Sequence, residues 1–300
     1  MAHEQSNTHI VVYDLYCKEE HWVDEEEERE INNISTPSLL PHLLLEEGLF
    51  PKEDELHQLL SKEEVPQYSS LNYMQGSLSL AAARRKAVEW ILVTNSHHTF
   101  SPLTAVLSVN YLDRFLATLQ FQRDKPWMMH LVTVACLSIA AKVEETKVPL
   151  LLDLQVQKPE FIFEPKSIQK MELLVLSTLG WKMNPVTPIS FINYIVKRLD
   201  LVPNKQWEFL TVFERLLLAV VADSRFVHYR PSVFAAAITL HVIDQLDSSA
   251  APGYYKKELM DILKISKERL EVCYQLVMES RSNGMPEFKN VSYWLKSTGH

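Results

Sequence analysis

The 300-residue chain has only six glycines, at Gly48, Gly76, Gly180, Gly253, Gly284 and Gly299. That is too few for the hairpin turns of an all-β fold. They are also too scattered to build a phosphate-cradling loop, and no G-x-G-x-x-G, G-x-x-x-x-G-K-[ST], G-x-S-x-G or H-E-x-x-H string occurs. Nucleotide enzymes of the common folds are therefore disfavoured. Cysteine is nearly as sparse: Cys17, Cys136 and Cys273 stand far apart, odd in number and outside any C-x-x-C or Cys/His cluster. This argues against a disulfide framework or zinc site and fits a reducing compartment. None of the eleven histidines follows a Glu at the i+3 spacing of helical di-iron sites. Asp54 precedes His57 at that spacing, but a solvated helix face explains the pair, and His97-His98 reads as a loop pair or helix cap with no further ligand nearby. No metal and no cofactor is expected.

Long apolar runs are also missing. The longest, Met128 to Val143, contains Thr133, Ser138 and Lys142 and falls short of the roughly 20 residues a membrane span needs. It reads as a core helix, and no membrane partner is expected. The opening residues MAHEQSNTHI lack a basic stretch followed by an apolar one, so a secretory signal is not expected. Positive charge is absent in bulk. The net charge of -8 resides wholly in residues 1–30, where ten acidic groups face only Lys18 and Arg29. A neutral body lacks the charge that non-specific nucleic-acid binding draws on, so no nucleic acid is expected as a partner.

What is present is helical patterning. Caps and first-turn prolines at Ser101-Pro102, Asp124 before Pro126, and Thr187-Pro188 punctuate it. Helices are expected near 79–95, 102–118, 127–143, 150–156 and 165–180, then near 188–199, 206–222, 231–246, 255–263 and 266–280. The third helix of each set is Ala-rich and apolar, HLVTVACLSIAAK and PSVFAAAITLHVI, a weak repeat of roughly 100 residues. The expected fold is all-α: two tandem five-helix domains at 76–185 and 186–281, with a tail at 282–300. A helical extension at 39–75, carrying LLPHLLLEEG and ELHQLLSKEE, is expected to pack on the first domain. Residues 1–38, with their run of five acidic residues, read as a disordered acidic segment.

Specific strings then carry a resemblance. RRKAVEWIL at 84–92, VNYLDRFL at 109–116, DKPWM at 124–128, LSIAAKVEE at 137–145 and KMELLVLSTLGW at 170–181 resemble the cyclin family, as do PISFI at 188–192 and DSRF at 223–226. With VPLLLDLQV at 148–156, they are most similar to plant D-type cyclins, the D3 group in particular. The resemblance implies two cyclin boxes and a non-catalytic subunit that binds and activates a cyclin-dependent kinase at the G1/S transition, in the nucleus and cytoplasm. It implies that Lys142 and Glu172, both expected outside the core, anchor the kinase's αC region. It further implies that Arg84 and Asp113 form a buried structural ion pair between the first two helices of the box. The family's docking groove for substrate peptides falls on Ala83, Lys86, Ala87 and Trp90. Three of these are small or charged where the family has large apolar residues, which argues against strong recruitment through the groove. Kinase inhibitor proteins are further partners that the resemblance suggests.

Near the N-terminus, Leu15, Cys17 and Glu19 spell L-x-C-x-E. In an extended chain these three side chains share one face, which suits a peptide laid in a groove. The motif implies docking to a retinoblastoma-related protein. Competing readings are a cyclin-fold transcription or scaffold protein, which should show a basic face, and a pocket protein of the retinoblastoma kind, which would bind L-x-C-x-E rather than carry it. An enzyme with an unfamiliar helical site has no motif in its favour.

Overall fold

The structure is a computed structural model, and it describes residues 53–63, 78–118, 126–155, 161–199, 203–246 and 252–282. The expected acidic segment with Leu15, Cys17 and Glu19, and the expected tail at 282–300 beyond Ser282, lie outside these residues. The described residues form ten α-helices and three short 3₁₀ turns, with no strand among them. The helices are α1 (Glu53–Glu63), α2 (Leu78–His97), α3 (Pro102–Thr118), α4 (Pro126–Glu144), α5 (Pro165–Thr178), α6 (Ile192–Arg198), α7 (Pro203–Val220), α8 (Pro231–Leu246), α9 (Pro252–Leu263) and α10 (Lys267–Ser282).

Each half has its own apolar core, centred on its Ala-rich third helix. In α4, Val132, Val134, Ala135, Cys136, Leu137, Ala140 and Ala141 are all buried, and α2, α3 and α5 pack around it. In α8, every residue from Pro231 to Ile243 is buried, covered by α7, α9 and α10. Small side chains are what let neighbours approach from all sides. Trp127–Glu144 is long and apolar enough to cross a membrane, yet its middle is the core of the first half.

Local chemistry fixes the boundaries. The Ser101 hydroxyl accepts from the Thr104 N–H at 3.1 Å, with Pro102 in the first turn of α3. Glu145, 44 residues away, adds its carboxylate to the same helix start, accepting from the Ser101 N–H at 2.7 Å and from the Thr104 hydroxyl. Helix α5 ends where Gly180 takes φ +60° and the Trp181 N–H reaches back to the Leu176 carbonyl at 2.9 Å. Trp181 follows at φ +59° and is left exposed.

Three expectations need correction, the first being the helix near 150–156, which is only a 3₁₀ turn at Asp153–Gln155. The helix expected at 188–199 is a 3₁₀ turn, Pro188–Phe191, followed by α6, because Thr187 and Ser190 cap each other reciprocally and tighten the first turn. A 3₁₀ turn at Ser224–His228, held by the Asp223 carboxylate accepting from the Arg225 N–H at 2.9 Å, was not foreseen. Most consequentially, α1, expected to pack on the first domain, is held by the second. Its Leu56, Leu59 and Leu60 join the core of the second half. Its buried Glu63 accepts from the Ser232 hydroxyl at 2.6 Å and the Ser232 N–H at 3.0 Å, at the start of α8. A carboxylate suits that place, since the first-turn N–H groups of a helix lack partners within it.

Candidate functional site

Arg84 on α2 is 1% exposed, the largest fully buried side chain among the described residues. Such a charge needs partners for every donor. Its Nε donates to Asp113 Oδ1 at 2.6 Å and its Nη2 to Oδ2 at 2.8 Å, which fastens α2 to α3. Its Nη1 donates to the carbonyls of Ala222 at 3.0 Å and Val221 at 3.3 Å, beyond α7 in the second half. One guanidinium thus ties the first two helices of the first half to the segment that follows α7, whose Val221 and Ala222 pack in the first half's core. Nearby, the Tyr111 hydroxyl donates to the Met183 carbonyl at 2.6 Å, and burial pushes the phenol up to about 12. The Cys136 thiol is pushed up by burial and by the Asp113 charge, so it stays an inert core group.

Lys142 closes α4 and Glu172 lies midway along α5. Packing of these two helices brings the residues together: Lys142 Nζ donates to Glu172 Oε1 at 2.7 Å and Oε2 at 2.8 Å. The side chains are unequal in exposure, 46% for Lys142 and 9% for Glu172. Glu172 is therefore buried, contrary to the expectation that both lie outside the core; α5 turns it towards α4, where the ammonium compensates its charge. Beside the pair in sequence, Val143 and Leu173 expose their side chains, and the following turn exposes Val148, Leu150 and Leu152.

The four groove positions on α2 fall on one side. Ala87 is buried, Ala83 and Trp90 are half-buried and Lys86 is exposed. Trp90 meets His130 of α4 edge-on at 5.0 Å, and His130 in turn lies against Phe163 at 5.8 Å. An aromatic row occupies this region where the sequence alone pointed to a lone tryptophan. His97 and His98 sit at the end of α2 with rings 4.8 Å apart, and His98 stacks on Phe100. Burial and the neighbouring His97 lower the His98 pKa. No group of three or more metal-ligating side chains occurs among the described residues. Sequence reasoning missed Glu63 and Glu145, whose only signal is a carboxylate in a mixed polar stretch, far in sequence from the helix starts they serve.

Two consecutive helical domains with their own cores, joined through a buried arginine, match two family models: the cyclin N-terminal domain over residues 54–184 and the cyclin C-terminal domain over 186–295. The chain belongs to the cyclin family. Within it, the likeness is to plant D-type cyclins: 49% identity over 79% of this chain to Cyclin-D3-1 of Arabidopsis thaliana, and 42% over 98% to Cyclin-D3-3 of the same plant. The matched part amounts to 62% of the first relative's length and 79% of the second's. A viral cyclin from herpesvirus saimiri shares the fold at a TM-score of 0.62 and 17% identity, over 76% of this chain and 97% of that one.

Proposed function

We propose that this chain is a non-catalytic regulatory subunit that binds and activates a cyclin-dependent kinase through the face carrying Lys142 and Glu172. The observation that carries the reading is that pair itself, one half open to solvent, with Val143 and Leu173, its neighbours in sequence, also exposed. A polar pair accompanied by open apolar side chains has the make-up of a protein interface with a specifying centre. Kinase activity requires the β3 Lys to pair with the αC Glu, and the position of αC controls this. A partner that binds only the inward αC conformer shifts the population towards it by its differential affinity. This chain then supplies affinity and the kinase supplies the chemistry.

The L-x-C-x-E at Leu15, Cys17 and Glu19 extends the proposal. It would bring a retinoblastoma-related protein to the kinase for phosphorylation, promoting G1/S progression in the nucleus. Kinase inhibitor proteins would act on the same complex. The test is a histone or retinoblastoma kinase assay on the purified chain mixed with a cyclin-dependent kinase. Activation lost in Lys142→Ala/Glu172→Ala is the expected result. A chain that binds no kinase and activates none would sink the reading in favour of a scaffold or transcription protein on the same fold.

A further inference from the structure

We propose that a cleft at the junction of the two boxes is the docking site of the chain's own C-terminal stretch, residues 283–300, which enters it with an apolar side chain. Neither Lys142 nor Glu172 lines this cleft, so the proposal stands apart from the kinase-binding reading.

The cleft has a volume of about 90 Å³ and lies where α3 of the first half meets α7, α8 and the Ser224–His228 turn of the second. Its walls are apolar: Val109 comes from α3, Val186 from the segment before Pro188, Leu217 from α7, Phe226 from the turn and Phe234 from α8. Arg84, Asp113 and Asn110 add a polar patch. Arg84 and Asp113 hold each other at 2.6 and 2.8 Å. The side-chain oxygen of Asn110 is buried and has no hydrogen-bond partner among the described residues. A buried acceptor left so is costly, which favours an occupant that brings an N–H. Water is a poor filling, since each molecule takes roughly 30 Å³ and needs about two to four polar partners, while most of this lining is apolar. One side chain with a peptide N–H beside it suits both the space and the oxygen.

Position selects which segment supplies it. Helix α10 ends at Ser282, and its last turn is fastened to the turn that lines the cleft: the Ser280 hydroxyl donates to Asp223 Oδ2 at 2.8 Å, and Asp223 Oδ1 accepts from the Arg225 N–H at 2.9 Å. Phe226 follows directly. Gly284 and Pro286, just past Ser282, are residues that end a helix and let a chain turn. From Ser282 to Phe288 an extended chain spans up to roughly 20 Å, enough to come back from Asp223 to the cleft. Phe288, Val291 and Leu295 recur at the i, i+3, i+7 spacing of one helix face. A stretch tethered this closely needs little intrinsic affinity, because a short linker holds it at an effective concentration on the order of mM. The stretch is also nearly neutral, Glu287 standing against Lys289 and Lys296. The acidic residues 1–30 suit the cleft less well, since they would carry many carboxylates to apolar walls whose charges, Arg84, Arg114 and Asp113, nearly balance.

Photocrosslinking on the full chain tests this, with benzoylphenylalanine in place of Phe288 and the products mapped by mass spectrometry. The expected products are crosslinks within one chain, to peptides that hold Val109, Val186 or Phe226. Val186→Trp fills the cleft from a half-buried wall position and should abolish them, with circular dichroism showing the helices intact. Phe288→Asp alters no described residue, so it gives a second readout if that variant misfolds. It should raise hydrogen exchange several-fold in the Ser224–His228 turn and leave α4 level. Crosslinks to other surfaces, or crosslinks that survive in a folded Val186→Trp chain, overturn the proposal. Crosslinks between chains overturn it in favour of a second copy as the occupant, and unchanged exchange in Phe288→Asp overturns it outright.

Discussion

The first box contains two ion pairs joining neighbouring helices, and they differ in what surrounds them. Arg84–Asp113 is shut in, 2% and 13% exposed, and the guanidinium has further carbonyl acceptors in the second half. Lys142–Glu172 is shut on one side only, its lysine 46% and its glutamate 9% exposed. A sealed pair with all its bonds made holds a fold together. A half-open pair with a donor to spare is available to a second protein.

The sharpest way to break this comparison is to remove one partner of each pair. Asp113→Ala leaves a buried guanidinium short of its carboxylate and should cost about 3–5 kcal/mol of stability, read as a lower midpoint in thermal or denaturant unfolding. An unchanged midpoint would show the pair to be dispensable. Lys142→Ala should cost less, about 1–3 kcal/mol, since it leaves the buried Glu172 carboxylate without its ammonium but opens it to solvent on one side. The double variant Lys142→Ala/Glu172→Ala should be no less stable than that single one, while losing kinase binding by about 2–5 kcal/mol. Circular dichroism and a kinase pull-down on one preparation separate the two effects.

A third region sharpens the contrast from outside the first box. Glu63 caps α8 from α1, so Glu63→Ala should leave a buried Ser232 hydroxyl and N–H unsatisfied, at about 1–3 kcal/mol. Hydrogen exchange should then rise in α1 and the first turn of α8 and stay level in α4; a rise centred on α4 would contradict the packing of α1 on the second half. Cys17→Ala or Glu19→Lys should abolish capture by a retinoblastoma-type pocket with no change in stability or kinase binding, as a two-way pull-down would reveal.

The smallest effect concerns pH. Burial works to raise the Asp223 pKa, but hydrogen bonds from Arg225 and Ser280 outweigh it and hold the carboxyl below its ordinary range. A depressed acid stabilises the fold above its unfolded pKa and loses that contribution as pH falls through the folded value. Asp223→Asn keeps the cap on the Ser224–His228 turn. It should flatten the loss of stability from about pH 4 downwards and change little at pH 7. A variant whose acid limb superimposes on the wild type would remove Asp223 from the account.

The helices were legible because their signals are local. Ser101-Pro102 and Thr187-Pro188 mark starts, Gly180 marks an end, and the alanines of α4 and α8 announce helices with neighbours on every side. The strings around Arg84, Asp113, Lys142 and Glu172 likewise identified the family on their own. The sequence by itself determined an all-helical chain in two similar halves, because capping and periodicity are properties of residues a few positions apart.

Only the tertiary structure decided which half α1 joins, since its leucines fit any apolar groove and the choice falls to a carboxylate meeting a helix start 169 residues away. Tertiary packing likewise decided that Glu172 turns inward and Lys142 outward. The two residues are thirty apart in sequence, and their unequal exposure follows from how α5 lies against α4. Long-range pairings of this kind leave no periodic trace, because the geometry that satisfies a buried charge exists only once the helices have packed.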